Sequence, residues 1–308
     1  MVYHEIRVVK GKKQNYLVYN RRKNGKWLKK SRFIGTGNIP QQEIKRLKEE
    51  FEIKVIASYQ FDYLSKEQVL EIEKLKQEYN KKISSLTKEE FEQFETSFFT
   101  ELTYNSNAIE GSSLSLQETS LVINENLVPE GKTLREIYEA KNHRKALDFI
   151  KEYNGELSEE FILKLHAIIL RDISERFAGR YRETTVRIFG SDVKFPDSVV
   201  VPQLIKNLVY WYNKNKKRYH PLEMAVIFSM KLVSIHPFVD GNGRISRLVM
   251  NFILKKKKYP WINIYNKQRL EYLKAVRKAN NEEYKEILAV LIKSLKENLK
   301  DFGITTYL

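Results

Sequence analysis

Residues 236–247 read His-Pro-Phe-Val-Asp-Gly-Asn-Gly-Arg-Ile-Ser-Arg, and they lie between two apolar stretches of helical spacing, Ala225 to Ile235 and Ile245 to Leu254. The two stretches read as an apolar helix that ends at the junction and another that begins beside it. Backbone N–H groups at a helix start are unpaired and carry the positive end of the dipole, so the junction is built for an anion. Gly241 and Gly243 leave Asn242 and the main chain open to a phosphate. Arg244 and Arg247, three apart, share a helix face from which two guanidinium groups can grip a triphosphate. Asp240 is a hard oxygen ligand suited to Mg²⁺. His236 stands just before the turn, placed to take a proton from an attacking hydroxyl.

On these residues the stretch resembles the Fic-domain signature, His-x-Phe-x-Asp/Glu-Gly-Asn-Gly-Arg-x-x-Arg, at every fixed position. Members of the Fic/Doc superfamily are mostly adenylyltransferases that move AMP from ATP to a Ser, Thr or Tyr hydroxyl of a protein. The resemblance implies His236 as general base, Asp240 as Mg²⁺ ligand, Asn242 as holder of the α-phosphate, and Arg244 and Arg247 as clamps on the β- and γ-phosphates. Transfer at phosphorus needs positioning and charge neutralisation more than covalent chemistry by the protein, which agrees with that set.

Upstream, Ser106-Asn107-Ala108-Ile109-Glu110-Gly111 is similar to the family's inhibitory motif, Ser/Thr-x-x-x-Glu-Gly/Asn. Ser106 and Glu110 are four apart, hence on one helix face, and Gly111 suits a helix C-terminal cap. The resemblance, that of a member with the inhibitory helix before the catalytic core, implies that Glu110 pairs with Arg247 and keeps it from the γ-phosphate, so resting activity is low.

Between the motifs, Gly179 to Pro196 reads as a hairpin around Gly190-Ser191-Asp192 and resembles the Fic flap, which aligns a target segment by strand pairing. Thr185, Val186, Arg187 and Ile188 would be the pairing strand. Downstream, Asn266 to Asn280 reads as helical, and by resemblance Tyr272 and Asn280 fall where the nucleobase is contacted.

Helical spacing recurs over Lys66–Ile83, Lys88–Leu102, Leu134–Tyr153, Glu159–Leu170, Leu222–Val233 and Glu282–Leu299, so an all-α bundle is expected, as the resemblance also implies. The 308 residues contain no cysteine, which excludes disulfides and Cys-based zinc sites and favours a cytoplasmic address. The first residues show no apolar signal segment, and no long uncharged apolar run is present, so no membrane span is expected. Residues 1–40 differ from the rest. They hold eleven basic residues and one acidic, a net +10 out of +16 for the chain. They read as a small antiparallel β meander over Tyr3–Val9, Asn15–Asn20 and Lys26–Ile34, with a turn at Asn24-Gly25. The expected division is a β module over 1–40, a helical connector over 41–86, a Fic domain over 87–300 with its inhibitory helix near 100–111, and a tail over 301–308.

The leading reading is an Mg²⁺-dependent, ATP-using protein adenylyltransferase restrained by Glu110, acting on a protein target or on itself, with homo-oligomers allowed. Alternatives stay open. The same fold could use another nucleotide or act mainly in removing AMP, although Gly243, where kinase-like relatives carry lysine, keeps room for the usual nucleotide pose. From another class, the basic module with Tyr16, Tyr19, Trp27 and Phe33 suggests a nucleic-acid-binding regulator with a low-activity core.

Overall fold

The computed structural model describes residues 2–23, 26–56, 59–186 and 194–303. The chain divides into two compact units, Met1–Gln77 and Glu78–Leu308. In the first, β1 (Val2–Val9), β2 (Lys12–Lys23) and β3 (Lys26–Thr36) form an antiparallel sheet in the order β1-β2-β3. Tyr3 pairs with Val18, Glu5 with Tyr16, and Tyr16 with Phe33, and a bulge at Asn15/Tyr16 shifts the register against β3. The ladders run longer than the alternating segments because the basic ends of β2 also pair. The Asn24-Gly25 turn lies outside the described residues.

One face of this sheet is covered in part. Val2 and Leu17 are fully buried with Phe51 of α1 (Gln41–Ile56), and Tyr19, Ile34 and Leu47 pack around them. The period-two pattern places Val2 and Leu17 on the α1 face, although Ile6 and Val8 farther along that face are exposed and Val18 on the opposite face is fully buried. The first helix of the expected connector accordingly packs on the sheet. α2 (Lys66–Ser85) follows.

The second unit is helical. α3 (Lys88–Glu110), α4 (Leu116–Asn124) and α5 (Leu134–Glu152) each begin on a capping box, at Thr87/Glu90, Ser115/Glu118 and Thr133/Glu136. α6 (Glu159–Ile169) is capped by Ser158. α7 (Val201–Asn215) and α8 (Pro221–Ile235) start with proline in the first turn, where its missing N–H costs nothing. α9 (Asn242–Lys256), α10 (Arg269–Ala279) and α11 (Lys285–Asp301) complete the unit. Short helices such as α4 escape a reading by periodicity, since nine residues give only two turns to count.

α8 and α9 form the centre. On α8 every residue from Pro221 to Met230 is buried, and on α9 the run Ile245–Leu254 is buried, so neither has a wet face along that length. Burial of each large side chain, such as Phe228 or Phe252, contributes about 1.5–3 kcal/mol. Phe252 also meets Phe161 of α6 at 4.2 Å between ring centroids, and Phe161 stacks on Tyr153 at 4.7 Å. This rigid pair of helices fixes the loop that joins them, 236–241. Among the described residues, no helix is long and apolar enough to cross a membrane.

Candidate active site

The joining loop starts with a reversal of the backbone. His236 ends α8 in a left-handed conformation, φ 50° and ψ 59°, which a non-glycine residue adopts only when its surroundings impose it. Its N–H donates to the Leu232 carbonyl at 3.2 Å, and its carbonyl accepts from Arg182 Nε at 2.8 Å. The imidazole stacks on Phe195 with centroids 4.1 Å apart. Burial pushes its pKa down to about 4, helped by the charge of Arg182 and opposed by a hydrogen bond to the Val233 backbone. The ring is therefore neutral at physiological pH and can accept a proton.

The loop then closes on itself through Asn242. Its Oδ1 accepts from the Phe238 N–H at 3.0 Å and its Nδ2 donates to the Phe238 carbonyl at 2.9 Å. Gly241, φ 80°, turns the chain into α9, which has no side-chain N-cap. The first amides of α9 are thus left for an anion. Asp240 Oδ1 accepts from the Gly241 N–H at 2.5 Å and from Arg244 Nη2 at 3.2 Å, while Oδ2 is held by Arg135 of α5. Burial opposes the charge on Asp240, but Arg244, the Gly241 amide and Arg135 outweigh it and hold the carboxyl below its ordinary value.

Arg244 is 2% exposed, lies 3.3 Å from Glu139 Oε1, and leaves Nε and Nη1 without an aligned hydrogen bond. Such buried donors are costly to leave unmade, so they fit a site that an anionic ligand completes. Arg247, also buried, donates from Nε to Ser106 Oγ at 3.1 Å, and from Nη2 to the Ser106 carbonyl at 2.9 Å and Glu110 Oε1 at 2.7 Å. The motif residues Ser106 and Glu110 thus meet the second arginine. Gly111 ends α3 at φ 105°, with its N–H on the Ala108 carbonyl. Glu110 Oε1 also sits so close to Gly243 that a methyl group built there would collide with it. The carboxylate consequently lies against the start of α9, where an anion would otherwise settle.

Two expected base contacts fall in different places. Asn280, at the end of α10, lines a cavity of about 430 Å³ with Pro196, Trp211, Ser234 and Ile235, and its Oδ1 accepts from Ser234 Oγ at 2.6 Å. Tyr272 is buried and lies near the Arg247 guanidinium. Of the flap, Arg187, Ile188 and the turn at 190–192 lie outside the described residues. Thr185 and Val186 run in irregular backbone, without a partner strand among the described residues. Among the described residues no group of three or more His, Cys, Asp or Glu is poised around a metal. A single carboxylate does suit Mg²⁺ shared with phosphates, and Asp240 is 38% exposed, but its two oxygens are engaged by Arg244 and Arg135, which a metal would have to displace.

Four residues emerge from the structure alone. Arg135 and Glu139, one turn apart on α5, complete the ion network around Asp240 and Arg244. His166 of α6 accepts from the Gly179 N–H at Nδ1, 3.0 Å, and so donates from Nε2 to the Asp240 carbonyl, 3.2 Å. It stacks on Phe238 at 3.7 Å, and burial pushes its pKa down to about 4, keeping this tautomer neutral. Arg182 is 2% exposed and donates to three carbonyls, those of His236, Thr184 at 3.0 Å and Pro196 at 2.5 Å. One buried guanidinium thereby ties Thr184 and Pro196 to the loop that follows α8. Nothing in the sequence separates it from the chain's other cations. Arg182→Met, which keeps the bulk and removes every donor, is expected to cost about 2–4 kcal/mol in urea denaturation. It should also speed proteolysis between residues 183 and 195. Unchanged stability and cleavage would show that the three bonds hold nothing.

The Fic/DOC family profile matches residues 156–254, which run from the start of α6 to near the end of α9. The chain is similar to protein adenylyltransferase fic-1 of Caenorhabditis elegans, 31% identical over 206 residues that make up 65% of this chain and 40% of the relative. It is also similar to protein adenylyltransferase Fic of Nematostella vectensis, 29% identical over 66% of this chain and 48% of that one. The chain thus spans less than half the length of these curated relatives. Among solved structures, a Fic-domain-containing signaling protein of Bacteroides thetaiotaomicron aligns with a TM-score of 0.65 and 28% identity, over 75% of this chain and 97% of the other. Fic-1 of C. elegans, residues 134–508, aligns with a TM-score of 0.67 and 26% identity, over 85% of this chain and 78% of that one. The signature, the helical fold and these relatives agree in placing the similarity to the Fic/DOC family on residues 156–254 and the helices around them.

Proposed function

We propose that the chain is a protein adenylyltransferase that transfers AMP from ATP to a hydroxyl of a target protein and is restrained by its own Glu110. The observation that carries this reading is the convergence, within one loop, of a neutral imidazole, uncapped helix amides, a lone carboxylate and two buried arginines. The relatives named protein adenylyltransferase support the same reaction class. The amides of α9, Arg244 and Arg247 bind the phosphates, and Asn242 keeps the turn in shape for them. Asp240 would hold Mg²⁺, which supplies positive charge to the phosphates when bound. Asn280 and its cavity receive the base, and Thr185 to Ile188 align the target strand. The hydroxyl oxygen forms a bond to the α-phosphorus while His236 takes its proton. The bond from the α-phosphorus to the bridging oxygen breaks, and pyrophosphate leaves with the electron pair.

Labelling position tests this directly. In a cell extract with the full chain, ATP carrying the label at the α-phosphate should mark protein, whereas ATP labelled at the γ-phosphate should not. Label from the γ-position, or equal labelling from UTP and GTP, would replace this reading by another transfer.

A further inference from the structure

The module at residues 1–40 supplies none of the residues named for that reaction, and its sheet has features that packing does not demand. With Val2 and Leu17 turned under α1, the opposite face carries Tyr3, Glu5 and Arg7 of β1, Tyr16 of β2, and Lys29 and Phe33 of β3. On this face Val18, the partner of Tyr3, is fully buried, yet Phe33 stays 50% exposed and Tyr3 37% exposed. The Arg7 guanidinium lies 4.2 Å from the centre of the Tyr16 ring, and Tyr16 meets Phe33 edge-on at 5.4 Å. The guanidinium and the two rings thus form one contiguous cluster on the sheet. Glu5, the single acid of residues 1–40, is bonded by both Arg7 at 2.7 Å and Lys29 at 3.2 Å, so its charge is spent within the face. Lys10, Lys12 and Lys13 are exposed at the β1–β2 turn.

From this surface we infer that the three-stranded sheet binds single-stranded nucleic acid, with phosphates on the turn lysines and unpaired bases on Phe33 and the Arg7–Tyr16 stack. The excess of ten positive charges on forty residues is complementary to a polyanion, and its release of counterions makes binding salt-dependent. An exposed ring adds what charge alone does not. Every base has a face that can stack, and in a duplex both faces are already covered, so exposed rings favour a strand whose bases are free. A guanidinium plane supported on tyrosine offers a second platform of the same kind.

The test uses the full chain and fluorescence polarisation with labelled single-stranded 20-mers of RNA and DNA, the matching duplex, and poly-glutamate as competitor. Single strands should bind with an affinity that falls steeply with salt, and more tightly than the duplex. Phe33→Ala should weaken binding about fivefold or more, the effect of losing one stacked base. Lys12→Gln with Lys13→Gln should weaken it and flatten the salt dependence. Phe33 is half-exposed and the lysines lie at a turn, so thermal melting of these variants should match the parent. A duplex preferred over single strands, full affinity in Phe33→Ala, or equal displacement by poly-glutamate would overturn the inference. So would the absence of binding to any oligonucleotide.

Discussion

His236→Ala is expected to reduce AMP transfer by about 10²–10⁴-fold, the range spanned by loss of a positioned general base. The structure prepares the imidazole for that task through several independent contacts. The α8 cap sets its backbone, Arg182 holds its carbonyl, and Phe195 lies flat against the ring. Because burial holds its pKa near 4, the neutral form predominates at every pH above that value. The parent enzyme should therefore keep a flat kcat/KM from neutrality down to about pH 5, and lose activity only as the ring protonates near 4. An exposed histidine would instead give an acid limb near pH 6.5. ATP affinity, measured by calorimetry, should change little in the variant, since in the proposed pose the phosphates would rest on the α9 amides and the arginines. Transfer that survives in His236→Ala with unaltered pH dependence would assign the base to another group.

What the sequence made legible and what it did not divide along a physical line. The left-handed turn at Gly241, the buried run of α9 and the cap at Gly111 are local properties, encoded within a few residues and visible in their order. So was the strand alternation over Tyr3–Val9, Asn15–Asn20 and Lys26–Ile34, whereas the capping boxes came from the structure. The contact of Arg247 with Glu110 joins positions 137 residues apart, and no local pattern specifies it. Resemblance supplied that pairing. Arg135, His166 and Arg182 escaped because each acts across a boundary between elements, where sequence shows only one more cation or one more histidine. Tyr272 shows the limit of spacing. Its place on α10 was foreseeable, but which groups its side chain lies near depends on the tertiary placement of α10, which packs chiefly on α11. The Thr-Thr-Val stretch at 184–186 has the composition of a strand, yet a ladder needs a partner, and among the described residues none lies beside it.

Glu110→Gly is expected to raise AMP transfer by about ten- to a hundredfold. Arg247 is buried, and its Nη2 is shared between the Ser106 carbonyl and Glu110 Oε1. A charge-assisted hydrogen bond of this kind is worth about 1.5–3 kcal/mol, which sets the factor by which its loss frees the guanidinium for the γ-phosphate. A second effect acts in the same direction. The carboxylate now lies over Gly243, at the mouth of the α9 amides, and places negative charge where the phosphates must enter. Glycine removes both. The structural cost is small, because residue 110 is the last of α3 and Gly111 already terminates the helix in a left-handed cap. Glu110→Gln separates the two effects, since it keeps the side chain over Gly243 but removes its charge, so activity should lie between those of the parent and Glu110→Gly. Arg247→Ala added to Glu110→Gly should cancel the gain, because the released group is then missing. Labelling by Glu110→Gly at the parent's rate, with ATP affinity intact, would mean that the ion pair is a fastening between α3 and α9 and no restraint on the reaction.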